Sequence, residues 1–123
     1  MKKNSIFNVR RLLTAIYYSF RGLKAVLRSE AAFRQELILS IILIPAAFYF
    51  GATVIARALL ISSWLLVLIV ELINSAIETI VNRIGTDYHE LSGKAKDIGS
   101  AAVLVALLNA AVIWALLIWP HFC

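Results

Sequence analysis

The sequence predicts an all-α membrane protein with an N-terminal amphipathic surface helix and three transmembrane helices per subunit. Hydrophobic residues make up 62% of the 123 positions, and the mean hydropathy is +0.88. This composition is too apolar for a soluble domain of this size. Long uncharged stretches, at 37–56 and 98–119, are each sufficient to cross a bilayer. Residues 1–123 are therefore expected to form one membrane domain.

The surface helix is expected at residues 6–28. Apolar residues recur there at three- and four-residue steps, and arginine and lysine fill the gaps. This pattern is typical of a helix that lies on a membrane with its basic side toward the headgroups. The alternative, a helix packed on a soluble core, is disfavoured because no soluble core is evident. Ser29 is the expected N-cap of the next helix, and Glu30 and Arg34 are spaced for an i,i+4 ion pair.

The three spans are expected at 35–56, 57–81 and 98–119, with a polar connection at 82–97. Pro45 is expected to kink the first span. Asn109, in the middle of the third span, is interpreted as a helix–helix hydrogen-bonding residue. Trp114 and Trp119 suit an interfacial aromatic belt.

The distribution of basic residues predicts the orientation. Most lysines and arginines precede the first span or lie at 82–97, whereas Arg57 is the only one between the first two spans. The N-terminus and the connection are therefore expected in the cytoplasm, with the C-terminus outside. The net charge is +5, and anionic lipid headgroups are the expected neighbours of the basic residues. No nucleic-acid partner is expected.

Two carboxylates in the second span carry the functional argument. Glu71 and Glu78 are separated by nearly two helical turns, so they share one face about 10 Å apart along the axis. Ser75 and Asn82 lie near the same line, and Asn74 lies to one side. Paired carboxylates at a membrane edge can bind Mg²⁺, and a desolvated carboxylate suits a general base. The alternatives are an interhelical hydrogen bond with one glutamate protonated, or a proton relay in a small transporter.

Familiar nucleotide and metal signatures are absent from the sequence. No Walker A motif ends at Gly93, because the position five residues earlier is Tyr88. No kinase catalytic loop of the His-Arg-Asp type occurs. His89 and His121 are far apart with no cysteine to join them, which disfavours a zinc site.

Three motifs resemble the prokaryotic diacylglycerol kinase family: Glu-Ala-Ala-Phe-Arg-Gln-Glu at 30–36, Glu-Leu-Ile-Asn-Ser-Ala-Ile-Glu at 71–78, and Tyr-His-Glu-Leu-Ser-Gly-Lys-Ala-Lys-Asp at 88–97. The resemblance implies an enzyme of the bacterial inner membrane that works as a homotrimer. It also implies transfer of the γ-phosphate of MgATP to diacylglycerol, which gives phosphatidic acid. Position 87 is Asp where the family pattern leads us to expect Glu, and position 94 is Lys where we expect Arg.

The resemblance also implies roles for individual residues. Glu71 would be the general base, supported by Asn74, and Glu30 and Glu78 would hold the divalent metal. Nucleotide contacts would come from Arg11, Tyr18, Asp87, Tyr88, His89, Lys96 and Asp97. Lipid contacts would come from Arg11, Ser19, Ala32, Phe33, Arg34, Gln35, Glu36, Glu71 and Ser100.

Three other functions compete with this interpretation. An undecaprenol kinase of the same family would share the chemistry. A proton-coupled transporter would use Glu71, but it needs neither the loop motif nor the surface helix. A purely structural membrane subunit would leave the Glu71–Glu78 face unexplained.

Overall fold

The described part of the chain forms four α-helices and a short 3₁₀ helix. The computed structural model describes Ile6, residues 8–85 and residues 87–122. The helices are α1 (Val9–Ser29), α2 (Ala31–Phe50), α3 (Val54–Ile84) and α4 (Glu90–Ile118), followed by the 3₁₀ helix Trp119–His121. Helices α2, α3 and α4 are long and apolar enough to cross a membrane. The predicted all-α class with three membrane spans is confirmed.

The first span ends earlier than the predicted residue 56, and a short turn joins it to α3. Helix α2 runs without interruption through Pro45, ends at Phe50, and α3 already begins at Val54. Gly51 permits this turn, because a Cβ there would overlap Arg57 Cγ and lie 2.7 Å from the Ala47 carbonyl oxygen. Arg57 Nε donates a 3.0 Å hydrogen bond to the Gly51 carbonyl, which fixes the start of α3 against the end of α2.

Most of the expected 82–97 connection is helical. Helix α3 continues to Ile84 and α4 begins at Glu90, so only residues 85–89 link the two helices, and residue 86 lies outside the described residues. The His89 ring caps α4 by accepting a 3.1 Å hydrogen bond from the Leu91 amide through Nδ1. The polar composition predicted where the chain leaves the apolar region. It did not predict where the helices end, because a helix continues as long as its backbone hydrogen bonds can form.

The N-terminal helix begins at Val9 rather than at residue 6. Asn8 caps α1 by accepting a 3.1 Å hydrogen bond from the Arg11 amide. Ile6 lies in a turn, and residue 7 of the predicted helix lies outside the described residues, as do residues 1–5 and 123. Ser29 is not the N-cap of the next helix. It is the last residue of α1, and Glu30 takes the capping position of α2.

Helices α3 and α4 form the core of the subunit. The buried cluster is Trp64, Val67, Ala106 and Ala110, where small residues of α4 let α3 approach closely. Trp114 is half-buried against this cluster and donates a 3.1 Å hydrogen bond to the Leu60 carbonyl, which is a packing role, whereas Trp119 is exposed. Because apolar surroundings offer no water, each indole N–H requires such a partner.

Helix α2 is attached to the rest of the subunit near its middle and at its C-terminal end. Near the middle, Trp64 Nε1 donates a 2.7 Å hydrogen bond to Ser40 Oγ, and Ser40 Oγ donates to the Glu36 carbonyl at 2.8 Å. At the C-terminal end, His121 Nε2 lies 2.8 Å from the Phe50 carbonyl oxygen, to which it donates. Asn109 is exposed, and within the described part of the chain it makes no hydrogen bond to another helix. The helix–helix bond predicted for it is therefore not made within this subunit.

Candidate functional site

Glu71 is a carboxylate on the buried face of α3. The buried residues of this helix fall on one side of it at 3.6 residues per turn: Leu60, Ser63, Trp64, Val67, Glu71, Ser75 and Val81. The side chain of Glu71 is only 8% exposed, and that of Ser75 is 5% exposed. Glu78 is half-buried on the same side of the helix. The polar face predicted from the spacing thus continues the face that packs the core.

Three further carboxylates lie close to Glu71. Glu30 and Glu78 are near enough for their charges to act on Glu71, and the charge of Glu71 acts on Glu36. Glu30 and Glu36 come from the first turns of α2, so the α1–α2 joint and α3 meet at this cluster within one chain. Like charges in a weakly polar setting repel, and cations or protons must offset that repulsion.

The donors in this cluster fit a hard cation. Glu36 Oε1 is buried and has no hydrogen-bond partner, so the cluster contains an oxygen that lacks a positive or donor group. No set of three histidine, cysteine, aspartate or glutamate side chains in the described ranges is arranged to hold a metal ion alone. A site with fewer than three protein ligands suits Mg²⁺, because this ion uses one or two carboxylates and completes its octahedron with water and phosphate oxygens.

Asn74 lies one turn from Glu71 and is directed at α4. Its Oδ1 is buried and has no hydrogen-bond partner, and it packs against Gly99 so closely that a Cβ on that glycine would overlap it. Asp97 and Ser100 are exposed on the same stretch of α4. The structure therefore brings Asn74 beside the segment of α4 that directly follows the third motif.

The joint between α1 and α2 is held by Arg34. Its Nη1 donates hydrogen bonds of 2.8 Å to the Leu27 carbonyl and 3.1 Å to the Arg28 carbonyl. These are among the last carbonyls of α1, which the helix leaves without partners. The expected i,i+4 pairing of Arg34 with Glu30 is replaced by this contact, so the guanidinium caps α1 and the Glu30 carboxylate is left for the cluster.

The other residues of the first motif are placed differently from one another. Phe33 is 2% exposed, so it contributes to the site by packing α2 into the subunit. Ala32 and Gln35 are exposed on α2. Of this motif, Glu30 and Glu36 are the members that the structure places beside Glu71.

A polar cleft of about 260 Å³ lies at the connection between α3 and α4. It brings together four of the residues expected to contact the nucleotide. It also includes polar groups with no predicted role, at Asn82 and Ser92. Ser92 lies inside the third motif and Asn82 on the polar face of α3, which were the available sequence signals. The full polar lining is Asn82, Asp87, Tyr88, His89, Ser92 and Lys96.

A larger apolar groove of about 690 Å³ separates α1 from α3. Ser19 of α1 and Ser75 of α3 face it, and Leu72, Ala76 and Thr79 complete its α3 wall. Ser75 lies one turn from Glu71, so the groove leads along α3 toward the carboxylates. The sequence identified Ser19 but not the α3 wall, because apolar residues that line a groove have the same sequence pattern as apolar residues that pack in a core.

Three predicted nucleotide contacts do not line the cleft: Asp97, which is exposed on α4, and Arg11 and Tyr18 of α1. Arg11 and Tyr18 line a separate shallow groove on α1 together with Asn8 and Thr14. The Arg21 guanidinium lies 5.7 Å from the centre of the Tyr18 ring. Within this chain, the structure brings neither Arg11 nor Tyr18 to the polar cleft.

Comparison with known proteins decides the family. The model of the family described as prokaryotic diacylglycerol kinase matches residues 17–118. The chain belongs to this family. It is a kinase and a multi-pass membrane protein, as the three motifs predicted.

Relatives match over nearly the full length. The diacylglycerol kinase of Escherichia coli K12 is 50% identical over 119 residues, which cover 97% of this chain and 98% of the relative. The diacylglycerol kinase of Haemophilus influenzae is 52% identical over 103 residues, 84% of this chain and 87% of the relative. That of Pseudomonas aeruginosa is 50% identical over 107 residues, 87% of each chain. The chain therefore covers most of the length of each of these relatives.

Proposed function

We propose that this kinase transfers the γ-phosphate of ATP to the free hydroxyl of diacylglycerol, which gives phosphatidic acid and ADP. The observation that carries the proposal is the position of Glu71, a buried carboxylate beside three others and one helical turn from Ser75, which lines the apolar groove. The hydroxyl oxygen attacks the γ-phosphorus, the bond between the γ-phosphorus and the β,γ-bridging oxygen breaks to release ADP, and the hydroxyl proton passes to Glu71. A positioned base of this kind contributes about 10²–10⁴-fold to the rate.

The groove between α1 and α3 is the proposed path for the lipid. Its walls are mainly apolar, with Ser19 and Ser75 as polar points. An acyl chain that lies along Leu72 and Ala76 would leave the glycerol hydroxyl near Ser75, one helical turn or about 6 Å from the level of Glu71. The headgroup would then lie within reach of Glu36, which is half-buried in the same cluster.

Glu30 and Glu78 are the proposed ligands of Mg²⁺. They approach Glu71 from two different helices, so an ion between them would also join the α1–α2 joint to α3. When bound, Mg²⁺ neutralises charge on the phosphate oxygens. Glu78 is half-buried and Glu71 is buried, and this difference in exposure suits a metal-binding carboxylate at Glu78 and a proton-accepting one at Glu71.

The polar cleft is the proposed site of the nucleotide. Lys96 supplies positive charge for the phosphates, and Tyr88 and His89 offer aromatic surfaces to the base. Asn82 lies four residues beyond Glu78 on α3, about 6 Å along the axis. Phosphates that extend from the cleft would therefore reach the metal ligand Glu78 first and the general base Glu71 after it, which is the order that the transfer requires. Asp97 lies next to Lys96, on the exposed side of α4.

We further propose that the kinase is a homotrimer in the bacterial inner membrane, with α1 on the membrane surface and the cleft in the cytoplasm. The excess of lysine and arginine in α1 and near the cleft supports this orientation. Helix α1 has no buried residue, as expected of a helix whose apolar side contacts lipid. A neighbouring subunit would bring Arg11 and Tyr18 to a cleft, which one subunit does not do, and would give Asn109 a hydrogen-bond partner.

The experiment is a direct assay with purified protein in lipid micelles. MgATP is supplied with diacylglycerol or with undecaprenol, and the phosphorylated lipid is separated and quantified. We expect phosphatidic acid as the main product. Exclusive formation of undecaprenyl phosphate would keep the chemistry and change the acceptor, whereas the absence of any phosphorylated lipid would overturn the proposal.

A further inference from the structure

Gly99 of α4 makes a close contact with Asn74 of α3 beside the carboxylates. Gly99 is buried, and a Cβ built on it would overlap Asn74 Oδ1 and lie 3.2 Å from Asn74 Cγ. The backbone does not require glycine here, because Gly99 lies within α4 and no described glycine has a positive φ. Glycine is a poorer helix former than alanine. The reason for it at this position is therefore space.

The carboxamide of Asn74 depends on that space. Its Oδ1 is buried without a hydrogen-bond partner, so packing against Gly99, and not a hydrogen bond to the oxygen, holds the group in place. Asn74 stands on α3 between the levels of Glu71 and Glu78. On α4, Lys96 and Ser100 lie within one turn of Gly99. The separation of the two helices at this contact thus sets how far the α3 carboxylates stand from the α4 residues that line the cleft.

We propose that Gly99 is a positioning residue for phosphoryl transfer. Its missing side chain seats the Asn74 carboxamide against α4, and this contact fixes Glu71 and Glu78 relative to Lys96. A Cβ at position 99 must either rotate the carboxamide away or move the helices apart. Displacements of about 1 Å in a site of this kind cost up to about 100-fold in rate. The inference rests on the proposed function, because the rate that it concerns is that of lipid phosphorylation.

The test is a double-variant cycle in the lipid kinase assay. Gly99→Ala is expected to lower kcat by about 10–100-fold with less than about threefold change in KM for ATP or diacylglycerol. Asn74→Ser shortens the side chain that the new Cβ would meet. The double variant should therefore be no slower than Asn74→Ser alone. Ala101→Ser, which adds one heavy atom at an exposed position nearby on α4, should keep the wild-type kcat.

Several outcomes would overturn the inference without touching the kinase proposal. One is wild-type kcat in Gly99→Ala. Another is a double variant slowed by the product of the two single effects, which would show independent sites. If Gly99→Ala does not fold in detergent, the thermal midpoints decide. If the double variant with Asn74→Ser folds again, the contact is supported. If Gly99→Ala and the double variant both fail to fold, the inference is overturned. A wild-type protein that phosphorylates no lipid would instead refute the proposed function.

Discussion

Replacing Arg34 with alanine separates two roles that this residue can have. The structure has its guanidinium capping α1 through the Leu27 and Arg28 carbonyls at 2.8 and 3.1 Å. Hydrogen bonds from a charged group are worth about 1.5–3 kcal/mol each, but these are exposed. We therefore take about 1–2 kcal/mol for the pair, a factor of about 5–30 in the equilibrium that closes the α1–α2 joint. Glu30 lies at that joint.

The expected result follows from the position of Glu30. Opening the joint withdraws this carboxylate from Glu71 and Glu78, so the Mg²⁺ concentration for half-maximal activity should rise, by up to about 30-fold, with kcat at saturating Mg²⁺ largely kept. Arg34→Lys, which keeps the charge but not the forked geometry, should give an intermediate shift. A direct headgroup contact predicts the reverse pattern, a raised KM for diacylglycerol with unchanged Mg²⁺ dependence. That pattern would refute the capping argument.

The remaining predictions concern the metal, the groove and the cleft. Glu30→Ala and Glu78→Ala should each weaken the response to Mg²⁺, and titrations that leave both unchanged would remove these residues from the metal site. Ala76→Phe fills the groove between α1 and α3, so KM for diacylglycerol should rise by about tenfold or more while KM for ATP stays constant; equal changes in both would contradict the groove assignment. Lys96→Met removes a phosphate-binding charge and should raise KM for ATP by about 10–100-fold at constant KM for lipid, and an unaltered KM for ATP would exclude the cleft as the nucleotide site.

Helical periodicity predicted the central feature of the site. The seven-residue spacing of Glu71 and Glu78 was sufficient to place both on one face, and the structure has this face buried against the core. Composition likewise predicted the three spans, because a long uncharged stretch has few other stable environments.

Other features depend on contacts between helices, which no local pattern reveals. The burial of Asn74 against Gly99 depends on the register of α3 against α4. Arg34 was expected to pair with Glu30 by spacing, yet it reaches back across the joint to α1 because the orphan carbonyls there lie closer. The start of α4 at Glu90 was missed because polar residues continue a helix as readily as they end one.

The most direct test of the central claim is the rate of lipid phosphorylation by Glu71→Gln. Glutamine keeps the size of the side chain and removes the proton acceptor, so the variant should fold and assemble as the wild type does. Its kcat for phosphatidic acid formation should fall by about 10²–10⁴-fold, with little change in KM for ATP or diacylglycerol. Gel filtration and the thermal midpoint in detergent show whether the fold is intact. A folded variant that forms phosphatidic acid at the wild-type rate would contradict the assignment of Glu71 as the general base.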